Sequence, residues 1–236
     1  MRILAIGCHP DDLEIACYGT LAKYVKQGHE VYVCHVANGN LGHVEIMQDE
    51  LRDIRFKEAE EAAKVIGAKK HYSIDIGDLY VTAENDELIR LLAAVVREVR
   101  PDLVITHNDY DYMNDHMQTY LSAFRATFAA SCAHFDMSDP TPAVAPCPIY
   151  HMDTVAGTGF IPTEYVDISD TIELKLQALA CHKSQIDWMR EHDGIDFLDF
   201  VRTCSRVRGY QSGVEYAEGF RQNLNYLRST TKRLLP

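Results

Sequence analysis

Basic residues are the first thing this chain is short of. Lys and Arg number 23 against 35 Asp and Glu, a formal charge of −12 over 236 residues. That balance argues against a general nucleic-acid binder, which carries a basic face. It leaves room for an anionic ligand held by a few local arginines. The seven cysteines (Cys8, Cys17, Cys34, Cys132, Cys147, Cys181 and Cys204) form no CxxC pair and are odd in number. Such scatter fits reduced, mostly buried thiols and a cytoplasmic setting better than a disulfide framework. No segment reaches ~18 uninterrupted apolar residues, and the opening MRILAIGCHPDD has too short an apolar run for a signal peptide. No membrane partner is therefore expected. Internal repeats and long linkers are absent too.

What is present reads as one globular α/β domain. Hydrophobic residues make up 47% and charged residues 25%, the balance of an ordinary folded protein with a sizeable core. Apolar β-rich runs alternate with helical patterns. RILAIGC (2–8), EVYVCHVAN (30–38), KKHYSIDI (69–76) and DLVITHN (102–108) read as strands. Between and after them, 13–28, 50–68, 85–101 and 116–135 read as helices, with Gly28, Gly67 and Pro101 as stops. A Pro-rich stretch from Met137 to Pro148 reads as a surface loop. Two short strands follow (148–157 and 160–169), then a helix over 170–185 with Asp170 as N-cap and Glu173 at the capping-box position. The alternation implies βαβ crossovers and a Rossmann-like, mostly parallel sheet with helices on both faces. Residues 1–236 are expected to form a single domain with an elaboration from about 148.

In such sheets ligands bind beyond the carboxyl ends of the strands. The loops there after the first and fourth strands, HPDD and HNDYDYMNDH, both hold His and Asp. His9, Asp12 and His116 supply two imidazoles and a carboxylate with one position left open, the ligand set of a catalytic zinc. Zinc so held polarises a carbonyl and lowers the pKa of its bound water to about 7. Asp11, beside a ligand but not one itself, is the candidate general base. Taken singly, HPDD could be only a helix-capping turn and His116 a solvated helix start. Their meeting at one sheet edge favours the metal.

These stretches resemble the LmbE-like, PIG-L-type zinc N-deacetylases, which remove acetyl groups from N-acetylated sugars and their conjugates. AIGCHPDDLEIACYGTLAKY is similar to the family's opening signature, and IRFKEAEEAAKVIG to its Arg-x-x-Glu helix. RPDLVITHNDYDYMNDH resembles the strand and loop that supply the last zinc ligand. YVDISDTIELKLQALACHKSQ and GVEYAEGFR resemble carboxyl-terminal blocks, so the likeness runs from about residue 2 to 221. It implies His9, Asp12 and His116 as zinc ligands, Asp11 as base, and Arg55 as a substrate contact. Without that likeness, Arg55 reads as a surface pair with Glu58. The implied substrate is a small N-acetylated sugar, such as an N-acetylglucosamine conjugate, and the acidic chain permits a homo-oligomer.

One departure stands out. Many members read His-Pro-Asp-His in the second loop, with the first histidine stabilising the tetrahedral intermediate or protonating the amine. Here Met113 stands in its place, and methionine donates no proton. His107, Asp109, Tyr112 and His182 are the candidates to fill the role, His182 foremost because it lies in HKSQ. A helix-end histidine facing the C-terminal dipole is its equal alternative. Asp115 is expected to hold the outer ring nitrogen of a ligand, and Glu14 to act as a helix-start charge or a support behind the ligands. Gly39, Gly42, Gly157 and Gly159 read as turn residues. Other readings are a metal-free sugar- or nucleotide-binding protein of the same fold, or a serine or cysteine hydrolase. The first turn carries no GxGxxG and would repel a pyrophosphate, and no GxSxG elbow is present.

Overall fold

The first strand, β1 (Arg2–Gly7), is buried along almost its whole length, as an apolar run in mid-sheet must be. Ile3 and Ala5 join one hydrophobic core, Leu4 and Ile6 a second, so both faces of the sheet are covered. The computed structural model describes residues 1–136 and 138–236; Met137, where the Pro-rich stretch was expected to begin, lies outside them. Next to β1 run β2 (Glu30–Ala37) and β4 (Leu103–Thr106), with β3 (Lys70–Ile76) beyond β2. On the other side follow β5 (Ile149–Met152), β7 (Ala217–Gln222) and β6 (Glu164–Asp167), giving the order β3-β2-β1-β4-β5-β7-β6. The first five strands are parallel, and β7 runs antiparallel to both neighbours. The order reverses between β1 and β4, which opens the crevice where such sheets hold ligands.

Helices α1 (Asp12–Ala16), α2 (Tyr18–Lys26), α3 (Gln48–Val65), α6 (Ile172–Leu179) and α8 (Phe197–Ser212) contribute to the core with Ile3. Helices α4 (Asp86–Val99) and α5 (Asn114–Ala129) cover the opposite face. The expected mostly parallel α/β architecture is what the chain adopts. Gly28, at φ 80°, ends α2 as expected, its N–H reaching Val25 O at 2.9 Å. Among the described residues no helix is long and apolar enough to cross a membrane. All seven cysteines are unpaired, and four are buried.

Four local expectations need correction. The helix expected over 13–28 is broken at Cys17, whose φ of −145° takes it out of helical geometry. The helix expected over 170–185 is also broken, between Leu179 and α7 (Lys183–Trp188). Asp170 does not cap it: Thr171 stands at the N-cap, and its hydroxyl donates to Gly19 O at 2.8 Å. Glu173 is drawn outward to Arg202 at 2.7 Å instead of closing a capping box.

Between α6 and β7 lies a buried ion pair. Lys175 Nζ is 2.6 Å from Glu218 Oε1, and both side chains are 1% exposed. The same carboxylate accepts the backbone N–H groups of Gly19 and Thr20 at 2.9 and 2.7 Å, tying the start of α2 to β7, the strand next to the edge. Removing one partner strands a buried charge. Lys175→Met is therefore expected to destabilise the fold by about 3–5 kcal/mol, measured by urea unfolding.

Candidate metal and catalytic site

HPDD folds as a tight turn between β1 and α1. The Asp12 carboxylate accepts the His9 backbone N–H at 2.7 Å, and Asp12 N–H returns to His9 O at 3.2 Å. That closure fixes Asp12 Oδ2 at the point where three imidazoles converge: His9 Nδ1 at 3.5 Å, His107 Nε2 at 3.4 Å and His116 Nε2 at 3.3 Å. These separations are long for hydrogen bonds. They are close to the roughly 3.4 Å expected between ligand atoms each about 2.1 Å from one tetrahedral cation.

His107 is in the cluster but is not free to ligate. Its Nε2 accepts the Cys8 backbone N–H at 2.9 Å, which occupies the lone pair a metal would need, and its ring stacks on His116 at 4.2 Å. His116 Nε2, by contrast, is buried without a hydrogen-bond partner. The possible ligand atoms gather in two overlapping groups, Cys8–His9–Asp12 and Asp12–His107–His116, each within 4.8 Å, so that Asp12 links His9 to His116, and the residues present suit a divalent cation by their chemistry and by an orphaned nitrogen. A carboxylate also lies near the other nitrogen of His9 and of His116: Asp115 Oδ2 3.4 Å from His9 Nε2, and Asp111 Oδ1 3.1 Å from His116 Nδ1. Both are close ion-pair contacts without hydrogen-bond geometry, in the position from which a carboxylate raises the basicity of a ligand ring.

The electrostatics agree that the site attracts positive charge. Burial opposes protonation of His116, but the Asp12 carboxylate, then Asp111, raise it to about 10. Burial likewise disfavours the charged Asp12, yet His116 and His107 hold it well below the usual carboxylate range.

Asp11 stands beside this set at φ 116°, a left-handed conformation that strains a non-glycine residue by about 1–3 kcal/mol. Its carboxylate takes Arg55 Nη2 at 2.8 Å, and the same guanidinium donates to Pro10 O. Burial pushes the Asp11 carboxyl up to about 6, although Arg55 pulls it down and Asp12 adds repulsion. Arg55 is 3% exposed and has no pair with Glu58, which instead accepts Ser184 N–H and hydroxyl at 2.8 and 2.6 Å. The arginine fits because Gly39 has no side chain: a Cβ there would come within 2.6 Å of Arg55 Cδ. Asp78 pins the same loop, accepting Gly39 and Leu41 N–H at 2.8 and 3.0 Å.

Glu14 and His182 lie behind Asp11. Both side chains are 0% exposed, with His182 Nε2 3.0 Å from Glu14 Oε1. Burial disfavours either charge, but each partner stabilises the other, so the Glu14 carboxyl is lowered and the His182 imidazole raised. His182 therefore faces inward from the break after α6, not along a helix dipole, and it does not line the cavity at the metal site. The expected proton donor His182 thus stands behind the cavity wall, with Glu14 as its partner. Among the other candidates, Asp109 is taken up by Arg221 at 2.6 Å. Tyr112 alone of the four opens into the cavity.

That cavity measures about 470 Å³. Its polar end is His9, Asp11, Asp12, His116, Arg55 and Asp78; its far wall is apolar, from Leu41, Leu79, Met189, Ile195, Phe197 and Phe200. Sequence reasoning missed Asp111, Asp78 and the α8 wall. Asp111, five residues before His116 in an acidic loop, was the one with a readable signal. The other two depend on where β3 and α8 end up in space.

Converging imidazoles and a carboxylate beyond the ends of adjacent parallel strands, beside an arginine-held carboxylate, give an α/β protein with a potential metal-binding cluster. The model of the PIG-L family, GlcNAc-PI de-N-acetylase, matches residues 4–127, and the chain belongs to that family. It is 29% identical over 230 residues to a diacetylchitobiose deacetylase of Thermococcus kodakarensis, covering 93% of this chain and 82% of that one. The N,N'-diacetylchitobiose deacetylase of Pyrococcus horikoshii superposes with a TM-score of 0.79 at 30% identity, covering 94% of this chain and 83% of that chain. A 4-oxalmesaconate hydratase of Pseudomonas putida is 26% identical over 190 residues, 77% of this chain and 73% of that protein.

Proposed function

We propose that the protein is a zinc-dependent, cytoplasmic N-deacetylase that hydrolyses the acetamide of an amino sugar or related glycoconjugate. The observation that carries this reading is Asp11, held by Arg55 next to the ligand set yet outside it. His9, Asp12 and His116 would hold the metal, which supplies Lewis-acid polarisation of the amide carbonyl and an acidified water. Asp11 accepts a proton from the attacking water as the C–O bond forms. It then returns that proton to the nitrogen as the C–N bond breaks, leaving acetate and a free amine. Arg55 keeps the carboxylate aimed at the water, and Asp115 and Asp111 raise the basicity of the ligand rings.

Met113 leaves the oxyanion without the family's histidine. Tyr112 is the donor of choice: it opens into the cavity beside His116, ring centroids 5.8 Å apart. Partial burial and the Asp12 and Asp111 carboxylates push its hydroxyl up to about 12, so it remains a donor at neutral pH. Tyr112→Phe is expected to lower kcat on the order of 10²-fold with little change in KM, the signature of a lost transition-state contact.

The direct test is acetate release from a panel of N-acetylated sugars by protein loaded with zinc. Release from none of them would overturn the assignment. The hydratase relative raises a second reading, water addition to an unsaturated polyacid. The cavity disfavours it: among the described residues Arg55 is the one Lys or Arg in the lining, already committed to Asp11, while Asp11, Asp12 and Asp78 are acidic. Loss of enol absorbance with 4-oxalmesaconate, and no acetate release, would favour that alternative.

A further inference from the structure

A second cavity lies under α8, separate from the one at the ligand set. It measures about 240 Å³ and is walled by Asp153, Lys175, Cys204, Arg208 and Glu218, none of which the proposed reaction uses. Val207, on the same wall, is 47% exposed, so the cavity meets solvent along α8. Its cations suit a carboxylate. Arg208 already holds one with two prongs, Nε and Nη2 donating to Asp153 Oδ2 and Oδ1 at 2.5 and 2.9 Å. Lys175 Nζ has a single acceptor among the described residues, Glu218 Oε1, although an ammonium carries three N–H groups. Asp153 and Glu218 do not cancel these cations fully. Glu218 also accepts N–H groups from the first turn of α2, where the helix adds positive charge of its own.

A narrow gap leads from this cavity to the ligand set. It measures about 10 Å³, room for one water, and is bounded by Asp12, His107, Asp111 and His116 together with Met152 and Asp153. Asp153 and Ala16 line both the gap and the cavity under α8; the half-buried Ile15 lines these two and the first cavity as well. The first cavity is a poor place for a carboxylate, with Asp11, Asp12 and Asp78 in its wall and its arginine committed to Asp11.

We propose that the cavity under α8 binds small carboxylates, and that it receives the acid released at the ligand set while the amine still fills the first cavity. The second part rests on the deacetylase reading. Turning the Ile15 side chain, a motion far faster than typical turnover, widens the gap for a two-carbon acid. Lys175 and Arg208 then donate to its oxygens.

The first experiment needs no catalysis. Cys204 lines the cavity one helical turn before Arg208. Bromoacetate bound there alkylates its thiolate: the C–S bond forms, the C–Br bond breaks and bromide leaves. On the zinc-loaded, full-length protein, mass spectrometry gives the rate ratio of bromoacetate to uncharged bromoacetamide at Cys204 and, for reference, at the exposed Cys132. The ratio at Cys204 is expected to be about tenfold higher or more, the gain from a charge-assisted contact, and acetate should protect Cys204 alone. Asp153→Asn combined with Arg208→Gln, which removes that pair together, should bring the two ratios level. Equal ratios in the unaltered protein, no protection by acetate, or a Cys204 that reacts with neither reagent overturns the site.

The second experiment asks where the acid comes from. N-bromoacetylglucosamine is hydrolysed with glutathione in excess, which consumes any bromoacetate that reaches solution. A carboxymethyl group on Cys204, distinct in mass from the sugar amide, is expected to persist. Its loss with glucosamine still released overturns the receiving role and leaves a carboxylate site fed from solution. No release of glucosamine overturns the deacetylase reading, and the alkylation ratios still decide the site.

Discussion

Asp11→Asn is expected to abolish most turnover while leaving fold and metal in place. Asparagine is among the few residues that tolerate a positive φ, so the strained turn at 116° persists and Arg55 retains an oxygen to bond. Only the capacity to take and return a proton is lost. General-base removal of this kind lowers kcat by about 10²–10⁴-fold, read in single-turnover acetate release with metal content measured on the same sample. Metal near one per chain with activity down a thousandfold would match the division of labour described here. Unchanged turnover would remove Asp11 as the base.

Asp12→Ala should have the other large effect, and through a different route. Its Oδ2 is the oxygen on which His9 and His116 converge, and it also holds the His9 N–H. Alanine removes a ligand and loosens the turn that presents a second one. Bound zinc is expected to fall from about one per chain to near zero by elemental analysis, a readout independent of catalysis, and activity to fall with it. Loss of an outer carboxylate, as in Asp111→Ala, should be milder, about 10–100-fold in metal affinity. Full retention of zinc by Asp12→Ala would show that the metal sits elsewhere in the cluster.

The parallel half of the sheet and the pairing of HPDD with His116 were legible because both depend on local pattern. Runs such as RILAIG are apolar on both faces, and the strand-end rule then brings two loops together. What escaped depends on partners far away in sequence. Glu14 has no neighbour in its own helix that explains it; His182, its partner, is 168 residues on. Cys17 breaks a helix whose sequence gives no stop signal. Strand β7, AEGFRQ, is a poor strand by composition. Its Gly219 is needed because a Cβ would lie 2.9 Å from Pro162. The sequence also placed Asp170 as a cap, since nothing local shows that Lys26 holds it at 3.4 Å.

The far wall of the cavity has an origin separate from its chemistry. His9, Asp11, Asp12 and His116 ride on the ends of β1 and β4, adjacent strands in register from Ile3 with Leu103 to Ile6 with Thr106. Met189 and Ile195 come from the stretch between α7 and α8, which turns through a π-helical segment and Gly194, and Phe197 and Phe200 from the first turn of α8; none belongs to a strand. Residues 190–196 can therefore vary in length and sequence without touching His9, Asp12 or His116, while Phe197 stays anchored in the core. The chemistry-bearing turns and the cavity wall thus sit on different parts of the chain, so the wall can be varied by substitution in this short stretch while the turns are kept.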